Sequence, residues 1–174
     1  MKLKKLIFIS AVSGVGKSTT CNYIKDNGLL ENYVIFDIDE LENINEYNND
    51  TYNLFYKNAV TKAIEKSNDK NIIIGSCINP NDINNLNSSD EVDINMVLIT
   101  CSNEELTKRL KARDDSRKCS SDEFIKGQVD YQNYMINHLA MYDLHIDNTN
   151  SSIEMVSSQI VDYIKEKESG RWES

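Results

Sequence analysis

Basic residues are scarce in this sequence. Among its 174 residues, 19 Lys and Arg stand against 28 Asp and Glu, and the formal net charge is −9. A protein that binds a nucleic-acid backbone usually presents a positive face, and this chain has no surplus of positive charge to supply one. We therefore expect no nucleic-acid partner.

Long apolar runs and paired cysteines are also missing. The first apolar run, residues 6–9, is shorter than the core of a signal peptide, and no run approaches the roughly 18 residues of a membrane span. The cysteines include no CxxC pair and have no nearby His, which argues against a zinc site. We expect a cytoplasmic protein without a membrane partner, and reduced, mostly buried thiols at Cys21, Cys77, Cys101 and Cys119.

One proline and six glycines are the only strong breakers in the chain, so its regular pattern is easy to follow. Short apolar, β-branched runs predict five strands, at residues 5–10, 33–38, 71–76, 92–100 and 144–147. Helical periodicity and capping residues predict helices at 17–27, 50–67, 102–112, 120–141 and 151–167, and a short helix that opens at Asn79-Pro80. Buried strands that alternate with helices are typical of an α/β domain whose parallel sheet is covered on both faces. We expect one domain over residues 1–168 and a loose tail at 169–174.

The strongest chemical signal is a Gly-rich turn between the first predicted strand and the first predicted helix. It comprises Ser13, Gly14, Val15, Gly16, Lys17, Ser18 and Thr19. Glycines let the backbone N–H groups surround phosphate oxygens, and the helix N-terminus adds a favourable dipole. We expect Lys17 to reach the β- and γ-phosphates of ATP, Ser18 to ligate Mg²⁺ and Thr19 to contact the α-phosphate. The departure from the GxxxxGK[ST] pattern is Ala11, which takes the place of the first Gly.

Acidic residues follow an apolar run on the second predicted strand, in the sequence Phe36-Asp37-Ile38-Asp39-Glu40. Alternation along an extended chain would put Asp37 and Asp39 on one side, beside the loop. One acid could hold Mg²⁺ through water and the other could receive or orient an acceptor hydroxyl, as phosphoryl transfer requires. The alternative is a helix that begins at Asp39-Glu40, where acids suit the helix dipole.

Other classes of phosphate-loop protein have less support. A GTPase carries a DxxG motif after a strand and an NKxD motif that reads the base, and neither occurs. A motor or AAA-type ATPase usually has a hydrophobic strand, distant from the loop, that ends in Asp or Asp-Glu. The third predicted strand here ends in Gly75-Ser76 without an acid.

With these motifs the sequence resembles the small P-loop kinases related to shikimate kinase, gluconate kinase and the nucleoside monophosphate kinases. The resemblance rests on the loop, on residues 36–41 and on residues 109–113 (RLKAR), which are similar to the RLxxR motif at the start of the lid in these kinases. It implies a three-layer P-loop NTPase fold with a five-stranded parallel sheet of order 2-3-1-4-5 and a small lid at about 113–121. It also implies ATP and Mg²⁺ as cofactors.

The same resemblance implies roles for individual side chains. Asp37 corresponds to the metal-side acid, and Asp39 to the acceptor-side acid of catalysis. Arg109 would lie near the adenine, Arg113 on the transferring phosphate, and the adenine edge would be touched by Asn148 and Thr149. Candidate contacts of the acceptor substrate, besides Asp39, are Tyr56, Gly75, Ser76 and Arg117.

The distribution of arginine bears on the acceptor. No Arg precedes Arg109, whereas kinases that act on nucleoside monophosphates or shikimate hold the anionic group of the acceptor with Arg after the second strand. We therefore expect a monomer or homodimer that moves the γ-phosphoryl group of ATP to a hydroxyl of a small, uncharged metabolite or nucleoside. A nucleoside monophosphate kinase and a nucleotide-binding regulatory module without an acceptor remain open as alternatives. A polynucleotide kinase is disfavoured by the acidic charge.

Overall fold

The structure is a computed structural model that describes residues 3–86, 90–113 and 120–170. The strands are β1 (Lys4–Ser10), β2 (Tyr33–Asp37), β3 (Asn71–Ser76), β4 (Val92–Thr100) and β5 (Leu144–Asp147). The α-helices within these ranges are α1 (Lys17–Asp26), α2 (Ile38–Leu41), α3 (Phe55–Lys66), α4 (Pro80–Leu86), α5 (Asn103–Lys111), α6 (Asp122–Ile136) and α7 (Ile153–Glu168). Single 3₁₀ turns lie at Ile44–Glu46, Tyr52–Leu54 and Leu139–Met141.

The strands form one parallel sheet in the order β2-β3-β1-β4-β5. The chain therefore runs from β1 to one side of the sheet and then crosses back to β4 on the other side. In sheets of this kind, ligands bind beyond the carboxyl ends of the strands, at the point where the strand order reverses. The sheet confirms the predicted fold and strand order, and it places the candidate site beyond the end of β1.

The centre of the sheet is buried because its strands are continuous apolar runs. Leu6 and Phe8 of β1 and the isoleucines 72–74 of β3 are fully buried. Helices cover both faces, as expected for strands without polar alternation. Burial of each Leu, Ile or Phe side chain contributes about 1.5–3 kcal/mol to the stability of the fold. The strand ends that carry the site therefore belong to a stable framework.

Serine caps the helix at all three predicted capping boxes, at Ser102 as predicted and one residue later than predicted at Ser121 and Ser152. Ser102, Ser121 and Ser152 each accept the backbone N–H three residues ahead, at 3.1, 3.2 and 3.1 Å. Two predicted helices are shorter than expected. The helix predicted at 50–67 begins as a 3₁₀ turn and becomes α-helical at Phe55, and the one predicted at 120–141 ends at Ile136, where the N–H of Asn137 closes the last turn.

The lid predicted at 113–121 falls mainly on residues 114–119, outside the described ranges, as do Arg117 and Cys119. The predicted tail also lies partly outside them. The domain bounds, the lid and the role of Arg117 therefore stay predictions. In the part of the chain that is described, no helix is long and apolar enough to cross a membrane.

Candidate active site

The Gly-rich turn connects β1 to α1 and needs glycine at two positions. Gly14 and Gly16 have φ values of 92° and 104°, a region that residues with a Cβ rarely adopt. Gly16 is the N-cap of α1, and no side chain caps the helix. The first N–H groups of α1 are therefore available to an anion. Ala11 keeps a negative φ and donates its N–H to the Ser76 carbonyl at 3.1 Å, so alanine fits the first Gly position without strain.

Two side chains hold the loop through the carbonyl of Val15. Asn148 Nδ2 donates to this oxygen at 2.5 Å and Arg109 Nη1 donates to it at 3.2 Å. Arg109 also binds the Asn148 carbonyl through Nη2 at 3.0 Å and Glu105 through Nε at 2.9 Å. The structure thus brings Arg109 and Asn148 to the loop. Their predicted contacts with adenine stay predictions.

Thr149 links the end of β5 to the start of α5. Its hydroxyl donates to Asp147 Oδ1 at 2.6 Å and accepts the Ser102 N–H at 2.8 Å. The Thr149 N–H also donates to Asp147 Oδ1, at 2.9 Å. These hydrogen bonds hold the pKa of Asp147 below its usual value. The Thr149 hydroxyl is therefore occupied within the protein, and its predicted contact with adenine stays a prediction.

The expectation of an extended Asp-x-Asp stretch is wrong. Strand β2 ends at Asp37, which caps α2 by accepting the Asp39 N–H at 3.0 Å. Glu40 accepts the Asp37 N–H at 3.4 Å in return, which completes a capping box. The alternative, a helix with acids in its first turn, is the one observed, because those acids satisfy the free N–H groups of the helix start.

The loop and the acids meet in one cleft of about 240 Å³. Residues of α1, the end of β2, the first turn of α2 and the end of β3 line it, among them Lys17, Ser18, Lys25, Asp37, Glu40 and Gly75. The Ser18 hydroxyl and the Asp37 carboxylate are hard oxygen ligands of the kind Mg²⁺ prefers, and Mg²⁺ commonly takes few protein ligands besides phosphate and water. The described residues contain no group of three or more His, Cys, Asp or Glu side chains arranged for a metal.

The charge of Lys17 affects the pKa values of two cysteine thiols. Burial raises the pKa of the Cys21 thiol to about 11, while the nearby charge of Lys17 acts in the opposite direction. Burial also raises the pKa of Cys77, opposed by Lys17 and reinforced by Asp82 and Asp39. Cys21 and Cys101 are buried, as the prediction of mostly buried thiols expects, and Cys77 is the exposed one among the described cysteines.

Three predicted acceptor contacts do not line the cleft. Asp39 is exposed in the first turn of α2 and is not among the lining residues. Tyr56 is 6% exposed and packs edge-on against Phe8 and Phe55, with ring centroids 6.0 and 5.1 Å apart. Ser76 is fully buried, and its hydroxyl accepts the Ile78 N–H at 3.2 Å. Of the acceptor residues predicted on β3, the cleft contains Gly75. Arg113 is exposed, just after the end of α5.

Sequence reasoning assigned no role to Glu40, Asp82, Gln128 or Tyr131. Glu40 lines the cleft. Its position three residues after Asp37 is the spacing of a capping box, so the sequence itself indicated this role. Asp82 is 5% exposed and bonds reciprocally with the backbone and side chain of Asn79. Gln128 and Tyr131 of α6 contact Ser13 and Cys77, which are distant in sequence. No local pattern could have indicated those two contacts.

Gly16→Ala should weaken nucleotide binding by about tenfold, equivalent to one hydrogen bond to a charged group. A Cβ at this position would lie 3.3 Å from Asn148 Nδ2 on a backbone with φ of +104°, so the loop must shift its N–H groups. Gly28→Ala is the matched control, since Gly28 also has a positive φ, +58°, but a Cβ there meets nothing within 4 Å. Both variants should lose about 1–2 kcal/mol of stability, and titration should show weaker nucleotide binding only for Gly16→Ala. Equal affinities would contradict the assignment of the loop.

Comparison with known proteins agrees with this geometry. A family profile described as AAA domain matches residues 7–129, and the chain belongs to that family. In this chain the acids beside the loop are at the end of β2, and β3 ends in Gly75-Ser76 without an acid. No curated protein sequence matches the chain significantly.

Similar solved structures include three shikimate kinases. The enzyme from Bacteroides thetaiotaomicron is 15% identical with a TM-score of 0.60, and the match covers 92% of this chain and 98% of that one. The enzyme from Aquifex aeolicus is 17% identical with a TM-score of 0.57, over 95% and 99%. The enzyme from Acinetobacter baumannii, solved in complex with shikimate, is 13% identical with a TM-score of 0.60, over 95% of each chain. At these identities the structures show the fold, and they confirm the predicted resemblance to the P-loop small-molecule kinases.

Proposed function

We propose that this protein transfers the γ-phosphoryl group of ATP, with Mg²⁺, to a hydroxyl of a small, uncharged metabolite or nucleoside. The observation that carries the proposal is the shared cleft of Lys17, Ser18 and Asp37, between α1 and the carboxyl ends of β2 and β3. We further propose that it acts in the cytoplasm as a monomer or homodimer, without nucleic-acid or membrane partners.

Each residue of the site has a defined part in the reaction. The acceptor oxygen attacks the γ-phosphorus, the bond from that phosphorus to the β–γ bridging oxygen breaks, and ADP leaves. Asp39 receives the proton of the acceptor hydroxyl, and Lys17 holds the β- and γ-phosphate oxygens. Ser18 and Asp37 would hold Mg²⁺, which neutralises phosphate charge when bound.

The charges around the cleft favour an uncharged acceptor. The acids Asp37 and Glu40 line it, and the described chain before Arg109 supplies no Arg. Of the two lysines that could replace an arginine on α3, Lys62 forms an ion pair with the buried Glu42. The cleft also contains Lys17 and Lys25, but Lys17 is assigned to the phosphates of ATP, and Lys25 is a point charge without the bidentate geometry of Arg. The absence of Arg among the described residues of the cleft therefore favours a neutral hydroxylated acceptor over one with an anionic group.

A nucleotide-binding regulatory module is the second candidate. It is favoured by the family description, AAA domain, and by the capping role of Asp37 and Glu40, which gives these acids a structural reason to be present. Such a module would bind ATP and show little dependence on an acceptor. A nucleoside monophosphate kinase would instead respond to a monophosphate despite the missing arginines.

The decisive experiment measures ADP release from Mg-ATP across a panel of acceptors. The panel contains nucleosides, nucleoside monophosphates, shikimate, gluconate and other small alcohols, with Lys17→Ala as the blank. We expect a neutral hydroxylated compound to stimulate ADP release well above the blank. Stimulation by a monophosphate alone would overturn the uncharged acceptor, and ATP binding without stimulation by any compound would favour the regulatory module.

A further inference from the structure

Gln128 on α6 is a contact of the phosphate loop that the proposed reaction does not yet use. Its Oε1 accepts the Ser13 N–H at 3.1 Å, between residues 115 positions apart in the sequence. Gln128 is half-buried, and among the described residues its amide nitrogen has no hydrogen-bond partner. The oxygen of this carboxamide is thus fixed to the loop while its two N–H donors remain available.

The same face of α6 also contacts the segments that follow β3 and β4. Tyr131 donates from its hydroxyl to the Cys77 carbonyl at 2.5 Å, and Gln132 bonds the N–H and carbonyl of Cys101 at 3.1 and 2.8 Å. Residues spaced by three and four share one face of a helix. That face of α6 therefore contacts the phosphate loop at Ser13 and the segment after β3 at Cys77.

The described arginine that touches the loop is already engaged. The guanidinium of Arg109 donates to Glu105, to Val15 and to Asn148, so it supports the loop backbone. Gln128 contacts the loop through Ser13, nearer to the end of β1 than Val15. Its carboxamide therefore lies against the loop at a different position from the Arg109 guanidinium.

We propose that Gln128 recognises the terminal phosphate of a nucleoside triphosphate. Its Oε1 stays on the Ser13 N–H, and its Nε2 donates to a γ-phosphate oxygen. A carboxamide suits this position because it offers one acceptor to the loop and donors to the phosphate from a single planar group. The inference rests on the proposed function, since it requires ATP in the loop.

The test compares the affinities of Gln128→Glu for ATP and for ADP. Glutamate keeps an oxygen for Ser13 but removes the donor and sets a negative charge against the γ-phosphate. Titration of the full chain with fluorescent ATP and ADP analogues in the presence of Mg²⁺ should show ATP binding weakened by about tenfold or more and ADP binding changed by less than about twofold. The matched control is Gln159→Glu on the exposed face of α7, which makes the same charge change and should alter neither affinity.

A second variant removes the carboxamide without adding a charge. Gln128→Met preserves the length of the side chain but loses both the acceptor for the Ser13 N–H and the N–H donors, and it replaces Gln128→Glu if that protein fails to fold in a thermal unfolding control. It too should weaken ATP more than ADP. Equal weakening of both nucleotides, or no change in either, would overturn the inference and leave the proposed function intact. Failure of the wild-type chain to bind ATP would overturn the proposed function itself.

Discussion

Replacing Lys17 with alanine is expected to reduce phosphoryl transfer by about 10³-fold or more, the scale measured for groups that stabilise charge in a transition state. Lys17 begins α1 and lies in the cleft with Ser18 and Asp37. Without its ammonium group, the site loses the lysine charge that would stabilise the negative charge spreading over the phosphate oxygens. The measurement is kcat for ADP release with the acceptor identified by the panel.

The control for this variant is Lys66→Ala. Lys66 is exposed at the end of α3, so its removal makes the same change in net charge far from the loop. It should change kcat by less than about twofold, since isolated surface charges contribute little. Thermal unfolding of both variants establishes that the loss in Lys17→Ala is not a loss of folded protein. A Lys17→Ala protein that keeps more than a tenth of the wild-type rate would contradict the assignment of the loop.

The sheet and the loop could be predicted because their signals are local. The central strands β1 and β3 contain continuous apolar runs, and three helices begin at a serine that accepts an N–H three residues ahead. Glycines at 14 and 16 both have a positive φ, which the spacing of the loop motif already required. Signals of this kind depend on a few neighbouring residues, so they can be recognised in the sequence without knowledge of the fold.

The conformation of the acids after β2 was harder to predict because two local rules apply there and disagree. Alternation along a strand puts Asp37 and Asp39 on one side, whereas acids at a helix start bind free N–H groups. Glu40 decides between them, since it reaches back to the Asp37 N–H and completes the capping box. The pattern Asp-x-x-Glu was present in the sequence and favours the helix.

The contacts around the loop could not be predicted from local patterns. Asn148 reaches Val15 across 133 residues, and Gln128 reaches Ser13 across 115. Their positions depend on how β5 and α6 sit beside the sheet, which periodicity does not encode. Tyr56 is the opposite case, because its helical spacing with Ala59, Val60 and Ala63 fits a core residue, and the structure buries all four.

Asp39→Asn should reduce kcat by about 10²–10⁴-fold, the usual contribution of a positioned general base, while ATP affinity stays within about twofold. Asp39 is exposed in the first turn of α2, and its backbone N–H rather than its carboxylate bonds Asp37. The substitution therefore leaves the capping box intact and removes only the proton acceptor. The measurements are kcat with the identified acceptor and the Kd of ATP by titration.

Asp50→Asn is the matched control for Asp39→Asn, since Asp50 is exposed in the loop before α3 and its backbone N–H bonds the side chain of Asn48. It should leave kcat and the Kd of ATP unchanged. The split between a lost kcat and a kept affinity distinguishes the two candidate functions, because a regulatory module has no acceptor proton to remove. If turnover survives Asp39→Asn, the acid at this position serves the helix alone, and the regulatory module becomes the better account of a phosphate loop beside a capping box.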